Sequence, residues 1–350
     1  MQDKNIVLDI VKGMAIFLVI CGHLIQRSLV VLGQDYFSNP VFKCIYMFHM
    51  PLFFFVSGYL MAYSLKKHPI GDLLRSRAWG LMVPFFSWGL LGIGVACVLN
   101  RADLARRGVA AVLFDPAQLP IWFIWFLLTL FLSTGLLLAS VWLKSWLGKF
   151  AFPVGLALLW AVPVHGFLSF YYVKWFYLFY LAGYVVSRHG ADLVRRLNHW
   201  IVMGVALGLF VFLALHWTKN DFVYVNQMRL GFLNGPDVLR LAYRYLVGFL
   251  GIALVFFIGE RLSRHGAGRL LSWVGFYSLD IYLIQRYLVE GGYPRVYQLI
   301  PVRFDLNTPF VLGVVVPAMA VLCLTVCLFF SRAFIRKNIG LNRWLLGNRG

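Results

Sequence analysis

The chain has 350 residues, 61% of them hydrophobic and only 13% charged. A soluble domain carries about 25% charged residues, and the apolar residues here fall in blocks about 20 long, the length of a membrane-crossing helix, so a soluble globular protein is excluded. The net charge of +19 would point to nucleic acid in a soluble protein; in a membrane chain it reads as Lys and Arg crowding the inner loops, and no nucleic-acid partner is expected.

The blocks predict an all-α, polytopic integral membrane protein of about ten transmembrane helices, with 1–350 as a single membrane domain surrounded by lipid. The spans fall at roughly 6–31, 41–65, 78–99, 120–143, 148–165, 169–188, 200–217, 240–259, 270–289 and 309–334. The first block is too long for a signal-peptide core and reads as a retained span. Lys and Arg favour the segments that are inside when both termini are inside, whereas Asp35, Asp103, Asp115, Asp221, Asp237, Glu290 and Asp305 dilute the outer side. Internal repeats are not evident.

The first span carries Asp9, Lys12 and His23 in an otherwise apolar stretch. Ionisable groups inside a span are costly and mark function by default. Lys12 and His23 are 11 residues apart, and at about 100° per residue they return to within about 20° of one direction, separated by roughly 16 Å. They therefore share a stripe, with His23 in the outer half of the bilayer and Asp9, at i−3, placed to pair with Lys12. In the second span His49 lies about 12 Å from the outer end, close to the depth of His23, so the two imidazoles are placed to converge. Pro51 frees backbone groups one turn away, which suits a cavity wall, and Ser57-Gly58-Tyr59 permits close helix contact.

Arg75 and Arg77 lie at the cytoplasmic mouth of the third span, where guanidinium forks suit phosphate and also suit plain topology-setting charge. Trp122 opens the fourth span from outside, in an aromatic belt. The outer loop from about Lys219 to Leu239 mixes polar and aromatic groups that fit a carbohydrate or an ordinary solvated surface equally well. Asp280 lies within the ninth span, followed by Gln285 and Arg286, and reads as a structural partner for a base or as part of a site. The five cysteines read as structural thiols, and no metal site is expected.

In their order and spacing, Asp9-x-x-Lys12-Gly13 with His23, Phe48-His49-Met50-Pro51-Leu52-Phe53-Phe54 with Ser57-Gly58-Tyr59, and Arg77 with Val83-Pro84-Phe85 resemble the membrane acyltransferase-3 family, closest in flavour to fucose 4-O-acetylase-like sugar O-acetyltransferases. The stretch Trp273 to Ile284 resembles that family's late G-x-x-S-x-x-I-Y-L-x-H segment, except that Gln285 stands where many relatives have His. The resemblance implies transfer of an acyl group, usually acetyl, from cytoplasmic acetyl-CoA to a hydroxyl of a lipid-linked oligosaccharide or envelope polysaccharide at the bacterial inner membrane. On that reading His23 is the general base or transient acyl acceptor, with Lys12, Asp9 and His49 as catalytic companions. His49 would orient the acceptor or stabilise the oxyanion. Arg77, Arg75 and Lys12 would hold the CoA phosphates, its pantetheine arm would run along the Lys12–His23 stripe, and Trp122, Tyr59, Asp280 and Gln285 would meet the acceptor. A transporter or flippase for an envelope glycan would also use intramembrane His, Lys and Asp, and is the competing expectation.

Overall fold

The computed structural model describes residues 6–99, 124–161, 171–190, 198–226, 235–299 and 305–348. Among them the chain is helical, without strands. Six stretches are long and apolar enough to cross a membrane: Ile6–Val31, Pro40–Lys67, Ile70–Val95, Trp125–Ala161, Asp237–Leu262 and Val311–Ile335. The protein is a multi-pass, all-α membrane protein.

Helices α1 (Ile6–Val31) and α2 (Pro40–Lys67) are joined by a short turn and run antiparallel. Asn39 sets the start of α2: its side-chain oxygen accepts from the Phe42 backbone N–H at 3.0 Å, Pro40 occupies the first turn where no N–H is needed, and the Asn39 side-chain nitrogen donates to the Leu306 carbonyl at 3.0 Å. Next come α3 (Ile70–Arg77), a wide π turn, and α4 (Val83–Leu99). The Trp125–Ala161 stretch is a hairpin of α5 (Trp125–Leu147) and α6 (Ala151–Ala161). It turns at Gly148, whose φ of +54° lies where Gly is favoured, and Gly155 packs on the Ser140 hydroxyl. Helices α7 (Tyr171–His189), α8 (Trp200–Leu215) and α9 (Gly235–Leu262) follow.

The expected ninth span is not one helix. It is α10 (Gly266–Phe276) and α11 (Ser278–Gln285), broken at Tyr277, then a π-helical stretch over Arg286–Gly292 that leads into α12 (Tyr293–Leu299). Tyr277, at φ −95° and ψ 11°, has left the helical region. The apolar run is continuous through this point, so hydropathy alone carries no sign of the break. The last span is α13 (Val316–Phe330) with a π turn at either end, and α14 (Ile339–Leu346) folds back on α4.

Two glycine pairs fix the closest crossings. A Cβ on Gly13 would overlap the Leu271 carbonyl, and one on Gly275 would overlap the Asp9 carbonyl, so α1 and α10 touch backbone to backbone. Gly58 and Gly183 do the same for α2 and α7, against Tyr180 and Phe55. Without a hydrophobic drive inside lipid, such close approach is a main source of helix association.

Candidate active site

A cavity of about 430 Å³ lies between α1, α2, α5, α7, α9 and the α11 region, within the size range of small-ligand sites. From α1 it takes Val19, His23, Gln26 and Arg27, which fall on one stripe at helical spacing. From α2 it takes Tyr46, His49, Met50 and Pro51, so the proline that releases a backbone carbonyl sits at a cavity wall. Trp125, Tyr172, Trp175, Phe176, Trp217 and Tyr282 add aromatic faces. The two imidazoles thus share one cavity, as their equal depth on consecutive helices predicts.

His23 is anchored through Nδ1, which lies 3.2 Å from Gln285 Oε1 and 3.3 Å from Glu290 Oε1. Both partners accept, so Nδ1 carries the hydrogen and Nε2 keeps its lone pair. The Gln285 amide nitrogen donates to the Tyr282 carbonyl at 3.4 Å, which turns its oxygen toward His23. Glu290 is held from its other side by Arg27 at 3.1 Å. The Ser28 and Tyr293 hydroxyls, 2.7 Å apart, fasten the start of α12 to α1. Arg286 and Glu290, four residues apart in the π-helical stretch over Arg286–Gly292, share one face and both line the cavity; π turns recur at functional sites. His49 is buried and donates from Nδ1 to the Ile45 carbonyl at 2.9 Å. Its free Nε2 is therefore an acceptor while the ring is neutral, and the expected donation to an oxyanion requires the imidazolium.

A loop covers the cavity beyond α8. Trp217, Phe222 and Tyr224 reach the wall from it. Thr218 donates to Asp221 through its amide at 2.8 Å and its hydroxyl at 2.6 Å, and Arg240 pairs with Asp221 at 3.3 Å. Burial, then the nearby Tyr46 and Tyr36, push the Tyr224 phenol well above its ordinary range, so it stays a neutral hydroxyl.

Several expected site residues lie elsewhere. Lys12 and Asp9 pair with each other at 2.7 Å and do not line the cavity. Val19 lines the cavity, but Ile16, between it and Lys12, is 0% exposed and does not, so packing closes the lower part of the stripe expected to hold a pantetheine arm. Tyr59 lies beside Tyr63, with ring centroids 5.8 Å apart, ten residues along α2 from His49 and away from the cavity. Asp280 is buried and bound by Arg336 at 2.7 and 3.1 Å and by the Ser331 hydroxyl; it serves as a structural counter-ion where α11 begins, not as an acceptor contact. Gln285 supports His23 from behind and is not in the cavity wall. Arg75 is exposed and Arg77 half-buried at the end of α3. Trp122 lies outside the described residues. Sequence reasoning missed Glu290, Arg27, Arg286 and Arg244. Charge counting along the chain puts Glu290 on the outer side, although an acid and a base on separate spans at one depth are a signal for pairing. No group of His, Cys, Asp and Glu among the described residues is arranged to hold a metal ion.

The chain is similar to nodulation protein NolL of Sinorhizobium fredii, 30% identical over 236 residues that cover 64% of this chain and 61% of the relative. It is also similar to NolL of Mesorhizobium japonicum, 30% identical over 240 residues, 64% of this chain and 60% of the relative. A shorter match of 90 residues, 32% identical, links it to inner membrane protein YcfT of Escherichia coli, covering 23% of this chain and 25% of that protein. The chain thus spans about three fifths of the NolL relatives' length. No solved structure matches it significantly. A family model described as an acyltransferase domain matches residues 5–332, nearly the whole chain. The protein therefore belongs to the membrane acyltransferase-3 family.

Proposed function

We propose that the protein transfers an acetyl group from cytoplasmic acetyl-CoA to a hydroxyl of a lipid-linked or envelope saccharide at the bacterial inner membrane. The observation that carries this reading is the His23–Glu290 pair at the wall of an aromatic cavity. The carboxylate holds Nδ1–H, leaves Nε2 basic, and stabilises the imidazolium that forms on proton uptake, the arrangement that makes histidine effective in acyl transfer.

In the reaction His23 Nε2 takes the proton of the sugar hydroxyl as its oxygen attacks the thioester carbonyl. The tetrahedral intermediate collapses with cleavage of the C–S bond, and the imidazolium returns the proton to the CoA thiolate. His49 Nε2 accepts a hydrogen bond from a neighbouring acceptor hydroxyl and orients it. Arg286, in the same wall, supplies positive charge where the carbonyl oxygen becomes negative. Aromatic faces such as Trp125 and Trp175 suit the apolar faces of a sugar ring. Arg75 and Arg77, at the end of α3, would hold the CoA phosphates. Because Ile16 is packed between Lys12 and the cavity, a donor arm on this stripe would enter as α1 and its neighbours part.

The test is transfer of label from radioactive acetyl-CoA to glycan in membranes carrying the protein, with acetyl-CoA binding measured on purified protein. Donor binding and label in glycan support the reading. A well-folded protein that binds no acetyl-CoA, yet moves glycan across sealed vesicles, would refute it in favour of a flippase.

A further inference from the structure

The cavity wall is rich in hydrogen-bond donors and poor in acceptors. Arg27, Arg244 and Arg286 line it against one carboxylate, Glu290, and that carboxylate already serves Arg27 and His23. Arg244 differs from the other two. It is 4% exposed. Its guanidinium donates to the backbone carbonyls of Asn220 at 2.7 Å and Asn226 at 3.3 Å, and lies 4.6 Å from the Trp175 ring. None of these partners carries charge. The neighbouring carboxylate, Asp221, is engaged by Arg240 and Thr218, and Arg244 makes no ion pair among the described residues. Three further groups of the same wall, the Trp175 and Trp217 indole nitrogens and the Tyr224 hydroxyl, are buried without a hydrogen-bond partner among the described residues.

Asp221 and Asp237 lie near enough to act on the charge, but neither forms an ion pair with Arg244 among the described residues, and a buried cation with no paired carboxylate is expensive. Tying the covering loop to α9 needs donors but no charge, and a neutral side chain would serve. A charge retained at this cost, beside donors without acceptors, fits a ligand that brings both the negative charge and the acceptor atoms. We propose that the acceptor saccharide is anionic, bearing a phosphate or a carboxylate, and that Arg244 is its counter-ion. The assignment rests on reading the cavity as the acceptor site.

The test uses the full chain in nanodiscs of phosphatidylcholine, whose neutral headgroups do not compete. Glucose, glucuronic acid and glucose 1-phosphate are titrated while tryptophan fluorescence is followed, since Trp125, Trp175 and Trp217 line the cavity. At least one charged sugar should bind about 10-fold or more tightly than glucose, a difference of about 1.4 kcal/mol, and the preference should shrink as salt rises. The tighter of the two charged sugars identifies phosphate or carboxylate as the anion. Arg244→Gln should lose the preference, whereas Arg244→Lys should keep part of it; thermal melting establishes that each variant is folded. Equal binding of the three sugars, no binding of either charged sugar, or a charge preference that survives Arg244→Gln overturns the proposal. Acetyl transfer to membrane glycan is read on the same preparations, so a protein that transfers acetyl without charge preference loses this inference alone.

Discussion

The two ends of α1 both carry ionisable groups inside an apolar helix, yet they differ in kind. At the Lys12 end the charges cancel locally, because Asp9 and Lys12 pair at 2.7 Å, and Gly13 packs backbone to backbone on α10. At the His23 end the helix faces an open cavity, and its charges are resolved only by residues more than 260 positions away, Gln285 and Glu290. An intramembrane charge by itself therefore does not separate scaffold from site. What separates them is whether the partner is local and the surroundings packed, or distant and facing a cavity.

The sharpest way to break this contrast is at the cavity. His23→Ala should lower transfer by about 10²- to 10⁴-fold, with the melting temperature close to that of wild type; a similar loss from Lys12→Met in folded protein would erase the distinction. Glu290→Gln keeps the shape but removes the charge that steadies the imidazolium, and should lower kcat by about 10²-fold with little change in KM for acetyl-CoA. A change confined to KM would make Glu290 a binding group instead.

The Lys12 end should respond in stability. Gly13→Leu places a side chain where the Leu271 carbonyl lies, and should cost about 1–3 kcal/mol or more, read as a lower melting temperature. Specific activity of the fraction that remains folded should fall much less than in His23→Ala. The smallest effect is expected at the ion pair. Lys12→Met alone strands a half-buried carboxylate at a cost of about 1 kcal/mol, and adding Asp9→Asn should recover most of it. Recovery of stability without recovery of transfer would return Lys12 to the catalytic machinery.

His23 and His49 were legible because an imidazole in an apolar block has few structural uses, and helical rise alone places both at one depth. The Asp9–Lys12 pair was legible from its i, i+3 spacing. Glu290 was not, because a span counted by hydropathy ends just before it, and nothing in the apolar run signals the break at Tyr277 or the π-helical stretch that carries Glu290 at the cavity wall. Asp280 could be seen to need a base, but its partner Arg336 lies 56 residues away, just past the end of the last span, a pairing that only the packed bundle supplies. Tyr59 shares a helix with His49, yet ten further residues carry it about 15 Å along the axis, toward the Lys12 end.

The most direct test of the account compares label transfer from radioactive acetyl-CoA to membrane glycan by wild type, His23→Ala and the Asp9→Asn, Lys12→Met double variant, at matched levels of folded protein. Transfer retained by the double variant within a few-fold and abolished by His23→Ala is the predicted result. Transfer that survives in His23→Ala would contradict the placement of the chemistry at the His23 end.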